Sequence, residues 1–438
     1  MQKLGSKLFI GIISAIILLL FVDDSINKIT DLVRPQTTSY SMFPIFIIIT
    51  SFSLFSQYFI IKYINNTTSI FNNIPNEVLL IQKFIRIYLS VIVLVFIFLI
   101  FQILIFSKYN SFFLLIMMLI SYGLSIFTFS ILCKIFIRWY KTLNNKIILY
   151  YNITIIIFTI NLIMSVISLL AGWSNVPNQI GDHVATPTRI FSTDFNVSVE
   201  FIHTITLIMS FIVTWVTTSI VLNYYSRKVG RIKYWIFVSI PLIYFILQYP
   251  TFILNSFEPL IISNPVFYGL ILTLFFSMSK IIGGIFFGIS FLNMWYNNPS
   301  MIRSYMLFVG CGLILYFASN QAYNLLILVP YPPFGLSAVT FVGLSSYMIF
   351  IGIYVSALSI SKDTRFRLSI KKLAIEKYRL LEDIGEAQRE SEIMKEVATI
   401  IKSLPEKDNQ ENLSTMTEDD IRNYVSEIIT EIKDMKNK

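Results

Sequence analysis

The chain has 438 residues, 55% of them hydrophobic and only 13% charged, and carries a net charge of +9 at neutral pH. It is too apolar for a soluble domain of this length. Its two cysteines, Cys133 and Cys311, both lie in apolar segments, and it has only two histidines. No disulfide framework, multi-histidine metal site or cofactor is therefore expected. Nucleic-acid binding is not expected either. Residues 1–361 hold 19 Lys/Arg and 8 Asp/Glu while 362–438 hold 15 and 17, and the basic residues of the first part stand at the ends of apolar runs rather than on a soluble face.

Runs of about 20 apolar residues mark membrane spans. They predict an all-α, polytopic helix bundle of about ten spans over 1–361, at 8–22, 43–61, 87–106, 112–133, 148–171, 201–223, 235–255, 266–292, 305–329 and 338–360. The first is short and flanked by Lys3 and Lys7, as in a signal peptide. However, Asp23-Asp24 follows where small residues would mark cleavage, so an uncleaved anchor is expected. With the N-terminus inside, the inner connections carry Lys62, Lys83, Arg86, Lys134, Arg138, Lys141, Lys146, Arg227, Lys228, Arg231, Lys233 and Arg303. The outer ones carry only Lys28, Arg34, Lys108 and Arg189, with most of the acids. This bias predicts a plasma-membrane protein with both termini cytoplasmic. The long connections are 23–42 and 172–200 outside and 62–84 inside. Gly172–Glu200 has the composition of an irregular loop and ends near a sequon, Asn196-Val197-Ser198.

Polar groups inside the spans are the candidates for a site. Asn161 lies in the fifth span. The sixth carries a stripe, His203, Thr206, Ser210, Thr214 and Thr217, at spacings that place it on one helix face. Threonine hydroxyls can satisfy their own helix carbonyls, so the stripe is compatible with plain packing. His203 with Glu200, Asp182 and His183 forms a titratable group on the outer side, suited to sensing pH or a cation. Pro241 and Pro250 interrupt the seventh span around Gln248. Lys280 stands near the middle of the eighth, where a charge costs roughly 3 kcal/mol, followed by the close-packing pair Gly284-xxx-Gly288. Asn320 and Gln321 lie in the ninth at comparable depth. Lys280 with Asn161, Gln248, Asn320 and Gln321 is the candidate ligand or ion site; the alternative is interhelical packing. No acid is expected at the depth of Lys280.

The tenth span runs into a basic knot, Lys362, Arg365, Arg367, Lys371 and Lys372, placed to meet lipid headgroups. From Ile370 to Ile401 apolar residues recur at 3-4 spacing, so 362–404 reads as a cytosolic helix. That helix either pairs as a coiled coil, with a second copy or a protein partner through 370–404, or lies singly against the inner loops. Pro405 ends it, 405–416 is a polar linker, and 417–438 is a short amphipathic helix. Phosphate loops, dinucleotide turns, HExxH and GxSxG are absent, so no catalytic residues are assigned and no enzyme is expected.

The segment Ser356-Ala357-Leu358-Ser359-Ile360-Ser361-Lys362-Asp363, with Leu368-Ser369-Ile370-Lys371-Lys372 and Leu381-Glu382-Asp383-Ile384-Gly385-Glu386-Ala387-Gln388, resembles uncharacterised multi-span membrane proteins of ammonia-oxidising archaea. The resemblance spans roughly 50 residues. It implies an archaeal plasma membrane and carries over no site residues. Two functions compete. The one the sequence favours is a sensor or signalling scaffold in which the last span moves a non-catalytic tail. The other is a secondary transporter with a midplane site around Lys280; it predicts matching interrupted segments in the two halves, and spans one and six show none.

Overall fold

The computed structural model describes residues 2–33, 38–69, 75–106, 109–173, 194–223, 226–249, 256–257, 259–297, 302–320, 332–362 and 379–403. Among these residues there is no strand. The helices are α1 (Gln2–Val33), α2 (Thr38–Thr68), α3 (Asn76–Phe106), α4 (Ser111–Leu143), α5 (Lys146–Trp173), α6 (Asp194–Leu222), α7 (Arg231–Ile246), α8 (Pro265–Thr273), α9 (Ser279–Asn297), α10 (Ile302–Ser319), α11 (Leu336–Lys362) and α12 (Arg379–Ser403). A π-helical stretch, Leu274–Met278, joins α8 to α9. The chain forms two compact units, one made of Met1–Ile135 and Tyr150–Ser356, the other of Phe136–Leu149 and Ala357–Lys438.

Among the described residues, nine helices are long and apolar enough to cross a membrane, α8 and α9 acting as one. The protein is thus a multi-pass membrane helix bundle. The seventh expected span corresponds to α7, whose 16 residues reach about 24 Å, short of a hydrocarbon core of about 30 Å. Its surface is still that of a lipid-facing helix. Tyr234, Val238, Pro241 and Phe245 are buried along one side, while Ile232, Ile236, Phe237, Ile240 and Ile243 are exposed. Of the rest of that expected span, residues 247–249 leave the helix in a turn and 250–255 lie outside the described residues.

Sequence periodicity alone could not orient these helices, because most are apolar all round. α3 makes the point. Ile81, Ile85, Tyr88, Ile92, Val95, Leu99 and Ile103 are buried, and Leu80, Phe84, Ile87, Leu94, Ile97, Phe101 and Leu104 are exposed, with the same residue types on both faces. What decides the inside of the first unit is α10 and α11. Every described residue from Leu336 to Ser356 is buried, as is every one from Tyr305 to Ser319.

Glycines let this pair be central. A Cβ on Gly288 of α9 would stand 2.6 Å from the Gly310 carbonyl oxygen of α10, and one on Gly352 of α11 would stand 2.7 Å from the Tyr305 carbonyl oxygen. Gly312 meets the α11 backbone at Ile349. The three helices therefore touch backbone to backbone, the small-residue packing available in lipid. α11 carries Thr340, Ser345, Ser346 and Ser356, each donating to a carbonyl three residues back in its own helix. Two outside hydroxyls reach its backbone. Ser121 of α4 donates to the Val339 carbonyl (2.7 Å) and accepts from the Gly343 N–H (3.2 Å). Tyr88 of α3 shares its one hydroxyl proton between Ser121 and the Thr340 carbonyl.

In the second unit, Asn144, at a left-handed φ of 49°, and Asn145, which caps α5 through the Ile147 N–H, turn α4 into α5. α12 buries Leu381, Ile384, Ala387, Gln388 and Ser391. Trp139 Nε1 donates to Gln388 Oε1 (2.8 Å), Gln388 Nε2 donates to Glu392 (2.9 Å), and Gly385 packs directly on Ile360. Three positions of the expected seam, Ile384, Ala387 and Ser391, are buried within the chain. Residues 405–438, the expected linker and terminal helix, lie outside the described residues.

Gly288→Leu forces a side chain into the Gly310 carbonyl and is expected to destabilise the bundle by about 1–3 kcal/mol. Gly123→Leu, whose Cβ meets nothing within 4 Å, leaves stability unchanged. Thermal unfolding of the two variants in detergent checks this.

Candidate functional site

α1 does not stop at residue 22. Between Gly11 and Pro35 there is no helix breaker, so the helix runs to Val33 and carries Asp23 and Asp24 within its spanning stretch, Gly5–Asn27. Asp23 is 0% exposed and Asp24 8%. This corrects the expectation that these acids lie in an outer connection and that no acid stands at the depth of Lys280.

Successive residues on a helix point about 100° apart, so the two carboxyls meet different neighbours. Asp24 accepts a hydrogen bond from Ser277 in the π-helical stretch. The same stretch is held from α7 by Tyr244, whose hydroxyl donates to the Leu274 carbonyl (2.6 Å). Single π turns of this kind occur often at functional sites. Lys280 follows in the first turn of α9 and is half-buried. It lies close enough to the His203 imidazole of α6 for their charges to interact.

From His203 a continuous polar chain crosses four helices. His203 Nε2 is 3.0 Å from Ser165 Oγ on α5. Ser165 donates to the Asn161 carbonyl (2.8 Å), and Asn161 Nδ2 donates to Thr206 on α6 (3.3 Å). Asn320 Nδ2, just past the end of α10, donates to Asn161 Oδ1 (3.1 Å), and Tyr122 of α4 donates to Asn320 Oδ1 (2.9 Å). Asn161 is mid-way along α5. α10 therefore ends inside the bundle, at the layer where the charged groups lie.

Along α6 the stripe continues inward from this layer. Ser210 and Thr214 donate to carbonyls of their own helix, and Thr217 Oγ1 is 3.0 Å from Thr154 Oγ1 of α5. Here Tyr151, Thr154, Thr214, Thr217 and Thr218 help to line a cavity of about 20 Å³, room for one water molecule.

The structure thus brings together Lys280, Asn161, Asn320 and His203. Gln248 is buried but turned to the Phe245 carbonyl (2.9 Å), apart from this chain. Glu200 stands half-buried three residues before His203. Gln321, Asp182, His183, Arg365, Arg367, Lys371 and Lys372 lie outside the described residues, and Lys362 ends α11. Sequence reasoning missed Asp23, Asp24, Ser277, Ser165 and Tyr122. The unbroken helical pattern from Gly11 to Pro35 was the signal for the acids; lone hydroxyls offered none. Among the described residues no group of three or more His, Cys, Asp and Glu could hold a metal ion. No protein-family model, no curated protein and no solved structure matches the chain.

The Asn161–Asn320 contact joins two elements through one amide pair. Asn161→Leu and Asn320→Leu are each expected to destabilise the bundle, with a coupling of about 0.6–2 kcal/mol in the double-mutant cycle. Denaturation of the four proteins in mixed micelles measures it.

Proposed function

We propose that the chain is a secondary transporter of a plasma membrane, with both termini in the cytosol, that binds a small polar solute at the layer around Lys280. The observation that carries this reading is the convergence of an acid, an amine, an imidazole and two amides from α1, α5, α6, α9 and the end of α10. Ionisable groups within spans are expensive and usually mark a pathway for substrate or ions. Interrupted helices around them are the common way such sites are built, and here the interruptions are the π turn before Lys280 and the end of α10 at Asn320. Opposite charges in one layer suit a solute bearing both an anionic and a cationic group. Lys280 would meet the anion and Asp24 the cation, with the amides fixing orientation. The cytosolic placement of the termini rests on the charge bias of the loops and on α7 completing a tenth crossing.

A second reading, the sensor, is favoured by the tail. α12 is held by Trp139–Gln388 and by Gly385 against Ile360, so a change in the last turn of α11 would be felt by α12. Solute-dependent protease sensitivity of α12 in a chain that moves no solute would favour it.

The transporter reading is tested by thermal-shift screening of the purified protein against amino acids, amines and carboxylates. At a hundredfold excess over Kd, a solute bound to the folded state adds about 2.7 kcal/mol of stability. At least one zwitterionic compound is expected to raise the melting temperature of the wild type. Lys280→Met and Asp24→Asn should abolish that rise while remaining folded. If no compound acts and Lys280→Met is simply more stable, Lys280 is a packing element and the reading fails.

A further inference from the structure

The solute site uses Asp24 and leaves its neighbour without a role. Asp23 is wholly buried, and neither of its carboxyl oxygens makes a hydrogen bond of regular geometry. The backbone N–H of Gly335 is close enough to act on its carboxylate. Gly335, at φ 87°, ends the Pro332–Gly335 turn and delivers the chain into α11. The first N–H groups of a helix have no partner within it and present the positive end of its dipole. The carboxyl therefore stands at the N-terminus of the most buried helix of the first unit, near a donor with which it forms no hydrogen bond of regular geometry.

Among the described residues the charges around it are few. α1 packs on α2, α8, the π stretch and α10. The only charged side chains of α2 and α10 are Lys62, near the far end of its helix, and Arg303, which lies over the Trp295 ring. α8 and the π stretch have none, and α11 has only Lys362 at its last position. On α1 itself the charge that acts on Asp23 is that of Asp24. On α9 there is Lys280, one turn beyond the Ser277 that binds Asp24. A metal cation would need several oxygen ligands; the neighbours here are an N–H group and a second acid. A proton needs only the carboxyl.

We propose that Asp23 is a proton-binding site of the bundle, loaded when its carboxyl is apart from the α11 N-terminus and unloaded when the two engage. On unloading, the O–H bond breaks, the proton passes to water, and the carboxylate is held by the Gly335 N–H and the helix dipole. Loading reverses this. Asp24, one residue away, couples the event to the π stretch and so to the solute layer. That coupling rests on the transporter reading; the protonation itself does not.

The test is infrared difference spectroscopy of the full-length protein in detergent, between acid and alkaline buffer and without any solute. A protonated-carboxyl component at the high frequency of a carboxyl in a dry site, apart from the broad band of the exposed acids, is expected to appear at acid pH in the wild type, in Asp24→Asn and in Lys280→Met. It should be missing from Asp23→Asn, which mimics the loaded form and should fold. Asp23→Glu keeps a carboxyl and is expected to retain the component at a shifted frequency, which settles the assignment if Asp23→Asn yields no folded protein. A component unchanged in Asp23→Asn, or one unaltered by replacing Asp23 with Glu, overturns the proposal. So does a wild type that lacks it. The solute screen can fail while this result stands, and the reverse also holds.

Discussion

The constraint on which the first unit depends is that α11 has neither lipid nor water to satisfy it. A helix buried on every side must find a partner for each polar atom among its neighbours, and each of those neighbours must come close enough to touch its backbone. The glycines meet the second demand. Gly352 against Tyr305 and Gly312 against Ile349 bring α10 and α11 together, and Gly288 against Gly310 adds α9. Thr340, Ser345, Ser346 and Ser356 meet the first by turning back on their own carbonyls, whereas the Ser337 and Ser359 hydroxyls stay without a hydrogen-bond partner. Where α11 does take an outside partner, Ser121 and Tyr88 reach its backbone at Val339, Thr340 and Gly343. A central helix that is rich in Ser and has Gly at its closest approaches follows from that geometry.

A close-packed core leaves little freedom in where a charge can be placed. Dispersion and small-residue contacts hold the helices together in lipid, so ionisable groups are tolerated only where the regular packing gives way. The structure gives way at one layer. The helix between Pro265 and Asn297 passes through a π turn, α10 ends at Ser319, and α11 begins beside Asp23. Lys280, His203, Asp24 and the amides lie next to these interruptions. The polar layer and the helix breaks explain each other: the breaks expose backbone groups that need polar partners, and the polar side chains need the space the breaks leave.

Helix content and the depth of several polar groups were legible in the sequence because they depend on local hydropathy. Lys280, Asn161 and Asn320 could be placed at one level by counting residues, and the structure joins Asn320 to Asn161. The acids were not legible by the same method. A hydropathy window treats two aspartates as the edge of a span, whereas the helix continues for nine further residues after Asp24 because nothing breaks it. The faces were not legible either, since α3 presents the same residue types to the core and to the outside. Nor was the pairing of His203. Spacing linked it to Glu200 on its own helix, while its contact is Ser165 on α5. In a membrane bundle the partner of a polar group is chosen by helix packing, and hydroxyls are too frequent for the sequence to single one out.

The divergence of Asp23 and Asp24 is what gives the polar layer more than one capacity. Two acids a full turn apart would share one face and compete for one partner. Adjacent ones are directed to different elements, Asp24 to Ser277 of the π stretch and Asp23 to the start of α11. A rotation of α1 that tightened one contact would loosen the other, so the π stretch and the α11 N-terminus are linked through a single rigid helix. Coupling requires an element with two arrangements, and α1 is the element that meets both ends of the link the proposal draws. Moving one acid by a turn would keep the charge of the layer and remove the link.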